Sequence, residues 1–312
     1  MLATLAGGVG AARFLAGLVR VVPPADVVTV VNTADDETFF GLHVSPDLDS
    51  VTYTLAGASN AAQGWGLEGE TFAMLAAIER YGAPTWFALG DKDLATHLFR
   101  TERLRAGETL SAVTAHITAA WGIETRLVPM TDARVRTRIT VARADGRHED
   151  LAMQEWFVRE RAAPPVVAVH FDGAASAPPA PGVLDALAQA DTIVICPSNP
   201  VISIGPILAL PGVRELLVAR RDHVVGVSPI VGGAPVKGPA DRLMGPLGME
   251  VSCVGVARAY TEFCSTLVID AVDAARASDV EAAGVRPVIT DTMMHSPEIA
   301  AALAAETLAA VA

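Results

Sequence analysis

The chain has 312 residues, of which 51% are hydrophobic and 19% charged, a composition that supports a large buried core and excludes an intrinsically disordered protein. Its formal net charge is −12 and no run of Lys or Arg occurs, which argues against nucleic acid or an anionic membrane surface as the main partner. The three cysteines, Cys196, Cys253 and Cys264, have no CxxC spacing and lie in apolar stretches, so we expect free thiols in a reducing cytoplasm.

The first residues of the chain are apolar, but they lack the basic leading segment of a signal peptide. Arg13 is the first basic residue, and Gly7, Gly8 and Gly10 interrupt any continuous apolar helix. We therefore expect a cytoplasmic protein that is neither secreted nor anchored in a membrane.

Short apolar runs that end in Gly, Asp or Ser alternate with helix-like stretches along the chain. This alternation predicts an α/β fold in which helices flank a parallel sheet. The predicted strands cover residues 2–5, 27–31, 85–89, 192–196, 223–227 and 250–254. Because parallel sheets bind ligands at the carboxyl ends of their strands, the residues after each run are the first candidates for a site.

The pattern changes between about 103 and 182, where a helix-like stretch is followed by alternating segments at 135–141 and 151–158. We interpret 103–182 as an inserted, smaller α+β subdomain that ends in the Pro-rich stretch AASAPPAPG. The core then consists of residues 1–102 and 183–312. An Ala-rich helix is predicted after Ser296.

The first motif, LAGGVGAARFLAGL at 5–18, places a Gly-rich turn between a strand and a helix. Glycines let the backbone approach phosphate, and a helix N-terminus offers free N–H groups, so Gly8, Gly10 and Arg13 can bind a diphosphate. The alternative is a tight strand-to-helix turn that binds no ligand, because such a turn requires the same glycines. The motif is neither a Walker loop nor a full GxGxxG fingerprint.

The second motif, NTADDETFFGLHVSPDLDSVTYTLAG at 32–57, carries five acidic residues. They are Asp35, Asp36, Glu37, Asp47 and Asp49. Carboxylates beside a bound phosphate repel it unless a hard cation lies between them, so the cluster predicts Mg²⁺. The alternative is a solvated acidic loop in which Asp49 only caps a helix at 50–55.

Three further motifs follow predicted strands. In LGDKDLATHLF, at 89–99, Lys92 can reach an anionic or carbonyl group, Asp91 can cap the next helix, and His97 is either a base or a structural residue. In CPSNPVISIGPILALPGV, at 196–213, short polar groups precede a predicted helix N-terminus that can meet phosphate. In SPIVGGAPVKGPADRLM, at 228–244, a mobile Gly-rich loop with Lys237 can close over a nucleotide, or is an ordinary surface turn.

Taken together and in this order, these five motifs resemble the 2-phospho-L-lactate transferase and phosphoenolpyruvate transferase family of coenzyme F420 biosynthesis. The segments that carry the resemblance are GGVGAARF, NTADDETFFGLHVSPDLD with TLAG, LGDKDLATH, SNPVISIGPIL and SPIVGGAPVKGPAD. The resemblance implies a Rossmann-like core with an inserted subdomain, and a homodimer. It also implies transfer from a guanosine diphosphate ester of a small acid to the deazaflavin alcohol Fo, which yields GMP and an F420-0-type product.

The same resemblance implies roles for particular residues. Those implied to bind the donor nucleotide are Gly8, Gly10, Arg13, Ser198, Asn199, Ser203, Gly205, Ser228, Gly232 and Lys237. Asp49 and Lys92 match positions that contact the acceptor Fo. Asp36 and Asp49 are the candidates for the catalytic base and for the Mg²⁺ ligands, without a decision on which carboxylate does which. Arg13 stands where many relatives have Lys, and arginine also binds phosphate.

Two other functions compete with this interpretation. A nucleotide-sugar-binding regulator of the related gluconeogenesis-factor family shares the core, but such relatives show a DDGGSSG segment where this chain has DDETFFGL. A nicotinamide dehydrogenase requires a more complete dinucleotide fingerprint. The acid carried by the donor, whether phospholactate, phosphoenolpyruvate or phosphoglycerate, is left open.

Overall fold

The computed structural model describes residues 1–60 and 63–311. In chain order its strands are β1 (Leu2–Ala6), β2 (Val27–Val31), β3 (Glu37–Phe39), β4 (Leu42–Val44), β5 (Arg126–Pro129), β6 (Arg136–Ala142), β7 (His148–Ala152), β8 (Val166–Asp172), β9 (Thr192–Ile195), β10 (Val224–Val227), β11 (Ile230–Val231), β12 (Ala234–Pro235), β13 (Thr266–Asp270) and β14 (Arg286–Thr290). The α-helices are α1 (Gly8–Leu18), α2 (Pro46–Leu55), α3 (Ala73–Glu79), α4 (Asp93–Arg105), α5 (Leu110–Ala120), α6 (Val183–Gln189), α7 (Gly205–Leu208), α8 (Val213–Ala219), α9 (Ala240–Met244), α10 (Cys253–Tyr260), α11 (Ala277–Ala282) and α12 (Pro297–Ala309).

A seven-stranded parallel sheet with the order β14-β13-β10-β9-β1-β2-β5 forms the centre of the molecule. Its inner strands are apolar and β-branched and are buried along their whole length, as the sequence VVTVV of β2 illustrates. The hydroxyl groups of Thr4 and Thr29 are buried between β1 and β2 and hydrogen-bond to each other at 2.8 Å. The predicted α/β class is confirmed.

Helices cover both faces of this sheet. On one face Leu5 and Ile193 pack in a cluster with residues of α6, α8 and α10, and on the other Val31 and Val194 pack with residues of α1, α2 and α12. The strands are thus held between two apolar layers. The carboxyl ends of these strands form one edge of the rigid sheet, which is where α/β proteins bind their ligands.

A smaller antiparallel sheet, β7-β6-β8, stands apart from the main sheet and has its own core around Ile139 and Trp156. The predicted insertion at 103–182 contains this sheet. It also contains β5, which pairs with β2 in the main sheet, and α5, whose Leu110 lies in the main core. The first strand that belongs to the smaller sheet therefore begins at Arg136, whereas the insertion was predicted to begin at 103.

Four of the predicted strands, at 2–5, 27–31, 192–196 and 223–227, are confirmed to within a residue at each end. The strand predicted at 85–89 is wrong, because this segment is irregular and Phe87 stacks on Phe39 with ring centroids 4.1 Å apart. The strand predicted at 250–254 is also wrong, because Ser252 accepts a hydrogen bond from the Gly255 N–H and caps α10. Strands β13 and β14 were not predicted.

Among the residues described, no single helix is both long and apolar enough to cross a membrane, although the bent pair Pro200–Leu208 and Val213–Ala219 passes the test by length and composition.

Candidate active site

A cavity of about 610 Å³ opens at the carboxyl edge of the main sheet. It is lined by the turn after β1, the start of α2, the loops after β9, β10 and β14, and a segment between α2 and α4. Its size suits a small-molecule ligand. Four of the five motifs found in the sequence contribute several residues to its wall, and LGDKDLATHLF contributes Asp93 and His97.

The Gly-rich turn forms one end of this cavity. Gly8 has a φ of +72°, in the left-handed region that favours glycine, and α1 begins there without a side-chain cap. A side chain at Gly10 would collide with the carbonyl oxygen of Pro197, so glycine at this position lets the turn approach the loop after β9. The N-terminus of α1 therefore faces the cavity and can bind an anion.

The SNP segment after β9 supports this turn. Ser198 Oγ accepts a hydrogen bond from the Gly7 N–H at 3.2 Å and donates one to the Gly7 carbonyl oxygen at 2.9 Å. Asn199 Oδ1 caps the following helical turn through the N–H groups of Val201 and Ile202, while its Nδ2 is buried without a partner among the described residues. Ser198 therefore positions the turn, and Asn199 has a spare donor for a ligand.

Two cations face the same end of the cavity. Arg13 and Lys237 both line it, and neither forms an ion pair with any residue that the structure describes. Burial and the nearby charge of Arg13 lower the pKa of Lys237. Its ammonium group donates to the carbonyl oxygen of Gly64 at 3.2 Å. Two like charges held near each other indicate a site for an anionic group.

Buried carboxylates lie next to this cationic end. Asn32 Nδ2 donates to Asp35 Oδ2 at 3.1 Å and to Asp47 Oδ2 at 3.0 Å, and so bridges the two carboxylates. Burial raises the pKa of Asp47 to about 6, and burial together with the charge of Asp47 raises the pKa of Asp35 well above its usual range. Asp35 Oδ1 is buried with no partner among the described residues.

A bound divalent cation would balance the charges of Asp35 and Asp47 better than the side chains around them do. A buried and a half-buried carboxylate that repel each other, one with an oxygen unpaired among the described residues, are a typical donor set for Mg²⁺. Asp35 and Asp47 would hold the ion beside the Gly-rich turn, and the ion would there neutralise charge on a bound phosphate. Both residues belong to the acidic motif, but the sequence prediction selected Asp36 and Asp49 instead.

Asp49 lies inside α2, so the alternative that it only caps a helix is wrong. Its carboxylate is 5% exposed and accepts from both Nη atoms of the buried Arg100. Within the described part of the chain, Asp49, Asp93 and His97 form the one group of acidic, His or Cys side chains whose ligand atoms lie within 4.8 Å of one another. The guanidinium of Arg100 already pairs with Asp49, and Mg²⁺ prefers oxygen ligands to the nitrogen of His97. These three residues therefore suit an ion-pair network better than a Mg²⁺ site.

Asp36 lies outside the main cavity. It lines a small neighbouring cavity with Asp35, Arg136 and Gln154, and its Oδ2 accepts from Ser45 Oγ at 2.6 Å. Burial raises its pKa, against the opposing effect of His43. Asp36 and Asp49 therefore face different cavities. Their shared role as Mg²⁺ ligands remains a prediction.

Three other predicted residues also lie outside the cavity lining. Lys92 Nζ donates to the carbonyl oxygen of Glu68 at 2.8 Å, Gly205 begins α7 against the ring of Phe171, and the Gly232 N–H donates to Asp273. The remaining predicted binding residues do line the cavity: Gly8, Gly10, Arg13, Asp49, Ser198, Asn199, Ser203, Ser228 and Lys237. Asp91 caps α3 through the N–H groups of Ala73 and Met74, and not the next helix.

Aromatic side chains also line the cavity. Those that line it are Tyr53, Trp65, Trp86, Phe87 and Phe157. Aromatic residues make up only 5% of the chain, so their concentration here is a property of the site. Such a wall suits a planar ring system. No sequence motif marks these residues as a group, because they come from four separate places in the chain; the adjacent pair Trp86 and Phe87 is the one local signal among them.

The fold and the cavity define a Rossmann-like α/β protein in which a Gly-rich turn, two cations and several aromatic side chains line one site. The family model for 2-phospho-L-lactate transferase CofD matches residues 2–308 of this chain. The chain belongs to this family, and it is a transferase of coenzyme F420 biosynthesis.

Similar proteins agree with this assignment. A Streptomyces griseus protein named phosphoenolpyruvate transferase is 47% identical over 306 residues, covering 97% of this chain and 96% of the relative. A Thermobifida fusca protein of the same name is 45% identical over 310 residues, covering 96% and 94%. The transferase interpretation is thus confirmed over the regulator and the dehydrogenase.

Two solved structures of the Bacillus halodurans protein BH3568, one described as a member of the UPF0052 family, share the fold. One has a TM-score of 0.59 at 16% identity and covers 93% of this chain and 92% of that chain. The other has a TM-score of 0.62 at 15% identity and covers 98% and 99%.

Proposed function

We propose that the protein transfers a phosphoenolpyruvyl or phospholactyl group from a guanosine diphosphate ester to the 5'-hydroxyl of Fo, and that GMP leaves. The observation that carries this proposal is the single cavity, which joins a cationic Gly-rich turn to an aromatic wall with Asp49 on its lining. The names of the curated relatives favour the enolpyruvyl form of the donor. A homodimer, which the family resemblance implies, and a cytoplasmic location, which the free cysteines predict, are part of the same proposal.

The donor diphosphate fits the cationic end. The free N–H groups at the start of α1, the guanidinium of Arg13 and the ammonium of Lys237 all face this end. Asn199 Nδ2 adds an unpaired donor. These groups would bind and orient the diphosphate, and a bound Mg²⁺ would supply further charge neutralisation.

The acceptor fits the same cavity, where the aromatic side chains of the lining would cover its planar deazaflavin ring. Its ribityl chain would then extend toward Asp49, which lines the cavity on α2. A carboxylate near the 5'-hydroxyl accepts the proton as this oxygen forms a bond to the phosphorus that carries the small acid. The bond from that phosphorus to the bridging oxygen breaks, and GMP departs with the bond electrons.

Mass spectrometry of the product tests the function directly. Purified protein is incubated with Fo, Mg²⁺ and, in separate reactions, the guanosine diphosphate esters of phospholactate, phosphoenolpyruvate and phosphoglycerate. We expect an F420-0-type product and GMP, with the dehydro product formed fastest from the enolpyruvyl donor. Absence of any Fo-derived product with all three donors would contradict the proposal.

Replacing Arg13 by alanine should weaken GDP binding by about tenfold to 10²-fold and change Fo binding less than twofold, since a charge-assisted hydrogen bond contributes about 1.5–3 kcal/mol. Isothermal titration calorimetry with each ligand measures both effects. Arg20→Ala is a matched control, because Arg20 follows the same helix but pairs with Glu298 outside the cavity. An equal loss for GDP and Fo in Arg13→Ala would place this side chain elsewhere.

Replacing Phe157 by leucine should weaken Fo binding about threefold to tenfold, because an aromatic contact contributes about 0.5–1.5 kcal/mol beyond its area. Phe99→Leu is the control, since Phe157 is 37% exposed and lines the cavity, whereas Phe99 is 39% exposed and does not. Fluorescence titration with Fo compares the two variants. The aromatic wall loses its assigned role if both bind Fo as tightly as the unaltered protein.

A further inference from the structure

A buried arginine lies behind the lining of the active-site cavity. Arg100, on α4, is 2% exposed and is absent from the cavity wall. Its Nη1 donates to Asp49 Oδ2 at 3.2 Å, and its Nη2 donates to Asp49 Oδ1. Nη1 also lies 3.4 Å from the carbonyl oxygen of His43. A bidentate pair of this kind fixes both the plane and the rotation of the carboxylate.

The same network continues along the cavity floor. His97 Nδ1 lies 3.7 Å from Asp49 Oδ2, and His97 Nε2 lies 3.3 Å from Asp93 Oδ2. The hydroxyl of Tyr53 donates to Asp93. Burial opposes ionisation of Asp93, but the contacts with His97 and Tyr53 outweigh it and lower its pKa. Helices α2 and α4 are thus joined by charged groups that leave Asp49 little freedom to rotate.

Asp49 would not keep this orientation by itself. It is buried close to a second carboxylate, that of Asp93, so without a cation between them repulsion would turn it away from this orientation. Burial opposes the charge of Arg100, but Asp49 and the more distant Asp36 outweigh this effect and raise the pKa of the guanidinium. Arg100 is therefore the cation that holds Asp49 in this orientation.

We propose that Arg100 is a positioning residue for the transfer, and that it acts through Asp49 by aiming this carboxylate at the acceptor hydroxyl. The inference rests on the proposed function. Lysine would keep the positive charge but could not hold both carboxylate oxygens in one plane. Because small misplacements of a reacting group reduce rates by up to about 10²-fold, the geometry of the pair matters as well as its charge.

The first test compares Arg100→Lys with Arg143→Lys. Arg143 forms a bidentate pair with Glu160, at 2.6 and 2.9 Å, in the small antiparallel sheet and outside the cavity lining. For Arg100→Lys we expect a fall in kcat of about tenfold. We also expect weaker Fo binding by fluorescence titration, with KM for the donor and Kd for GDP within about twofold of the unaltered protein. Arg143→Lys should change none of these values. Unchanged kcat and unchanged Fo affinity in Arg100→Lys would overturn the proposal.

A second test covers the case in which Arg100→Lys folds poorly. The double variant Arg100→Gln/Asp49→Asn removes both charges, so no unpaired charge stays buried. If Arg100 acts through Asp49, the double variant should be no less active than Asp49→Asn alone, since neighbouring residues of one unit give non-additive losses. A further loss of about tenfold in the double variant would show an independent role and overturn the inference.

The two proposals fail in different ways. Absence of Fo-derived product from the unaltered protein counts against the proposed function. The positioning role is still decided in that case by the binding of Fo to Arg100→Lys, since this measurement needs no donor and no turnover.

Discussion

Removal of divalent cations should reduce turnover by about 10²-fold or more, because a bound metal ion contributes several kcal/mol to neutralising charge in phosphoryl transfer. The structural reason is the pair formed by the buried Asp35 and the half-buried Asp47, which Asn32 bridges. Both carboxylates have raised pKa values, and Asp35 Oδ1 has no partner among the described residues. Turnover is measured after dialysis against a chelator and again after addition of Mg²⁺ or Na⁺. We expect recovery with Mg²⁺ alone.

Site-directed variants then identify the ligands. Asp47→Asn should raise the Mg²⁺ concentration needed for half-maximal rate, while Asp222→Asn, at an exposed position before β10, should leave it unchanged. Asp36→Asn tests the ligand that the sequence favoured, since Asp36 lies in the neighbouring small cavity. Full turnover in the presence of the chelator would refute the metal requirement altogether.

Asp49→Asn should reduce turnover by about 10²-fold or more, with GDP affinity close to that of the unaltered protein. Asparagine keeps the size of the side chain and one acceptor oxygen but removes the charge. The position is inside α2, so loss of a helix cap cannot explain a large effect. The melting temperature is determined first, and the rate and the GDP affinity are then measured on the same preparation at a temperature well below it.

Some loss of stability is expected as well, because the substitution weakens a buried pair with Arg100. Asp132→Asn is the control for a carboxylate with a structural role, since Asp132 accepts from the Ser111 N–H and hydroxyl at the start of α5. Asparagine serves nearly as well as aspartate at a helix N-terminus, so this variant should keep its rate. A near-normal rate in Asp49→Asn would assign Asp49 a structural role and direct attention to Asp36.

The sequence by itself determined the fold class, most inner strands of the sheet and the location of the Gly-rich turn that lines the cavity. These features are local: an apolar β-branched run of four or five residues is buried as a strand, and glycine is required where φ is positive, as at Gly8. The order of five motifs also determined the family.

The tertiary structure alone decided which acidic residues act together. Asp35, Asp36, Asp47 and Asp49 have the same side chain and lie within fifteen positions, yet they face two cavities and have different partners: Asn32 for Asp35 and Asp47, Ser45 for Asp36, and Arg100 for Asp49. Their separation depends on how β3, β4 and α2 pack against α4. The aromatic wall likewise comes from four separate places in the chain. No local pattern shows which distant side chains will share a cavity, because that is fixed by the packing of the whole chain.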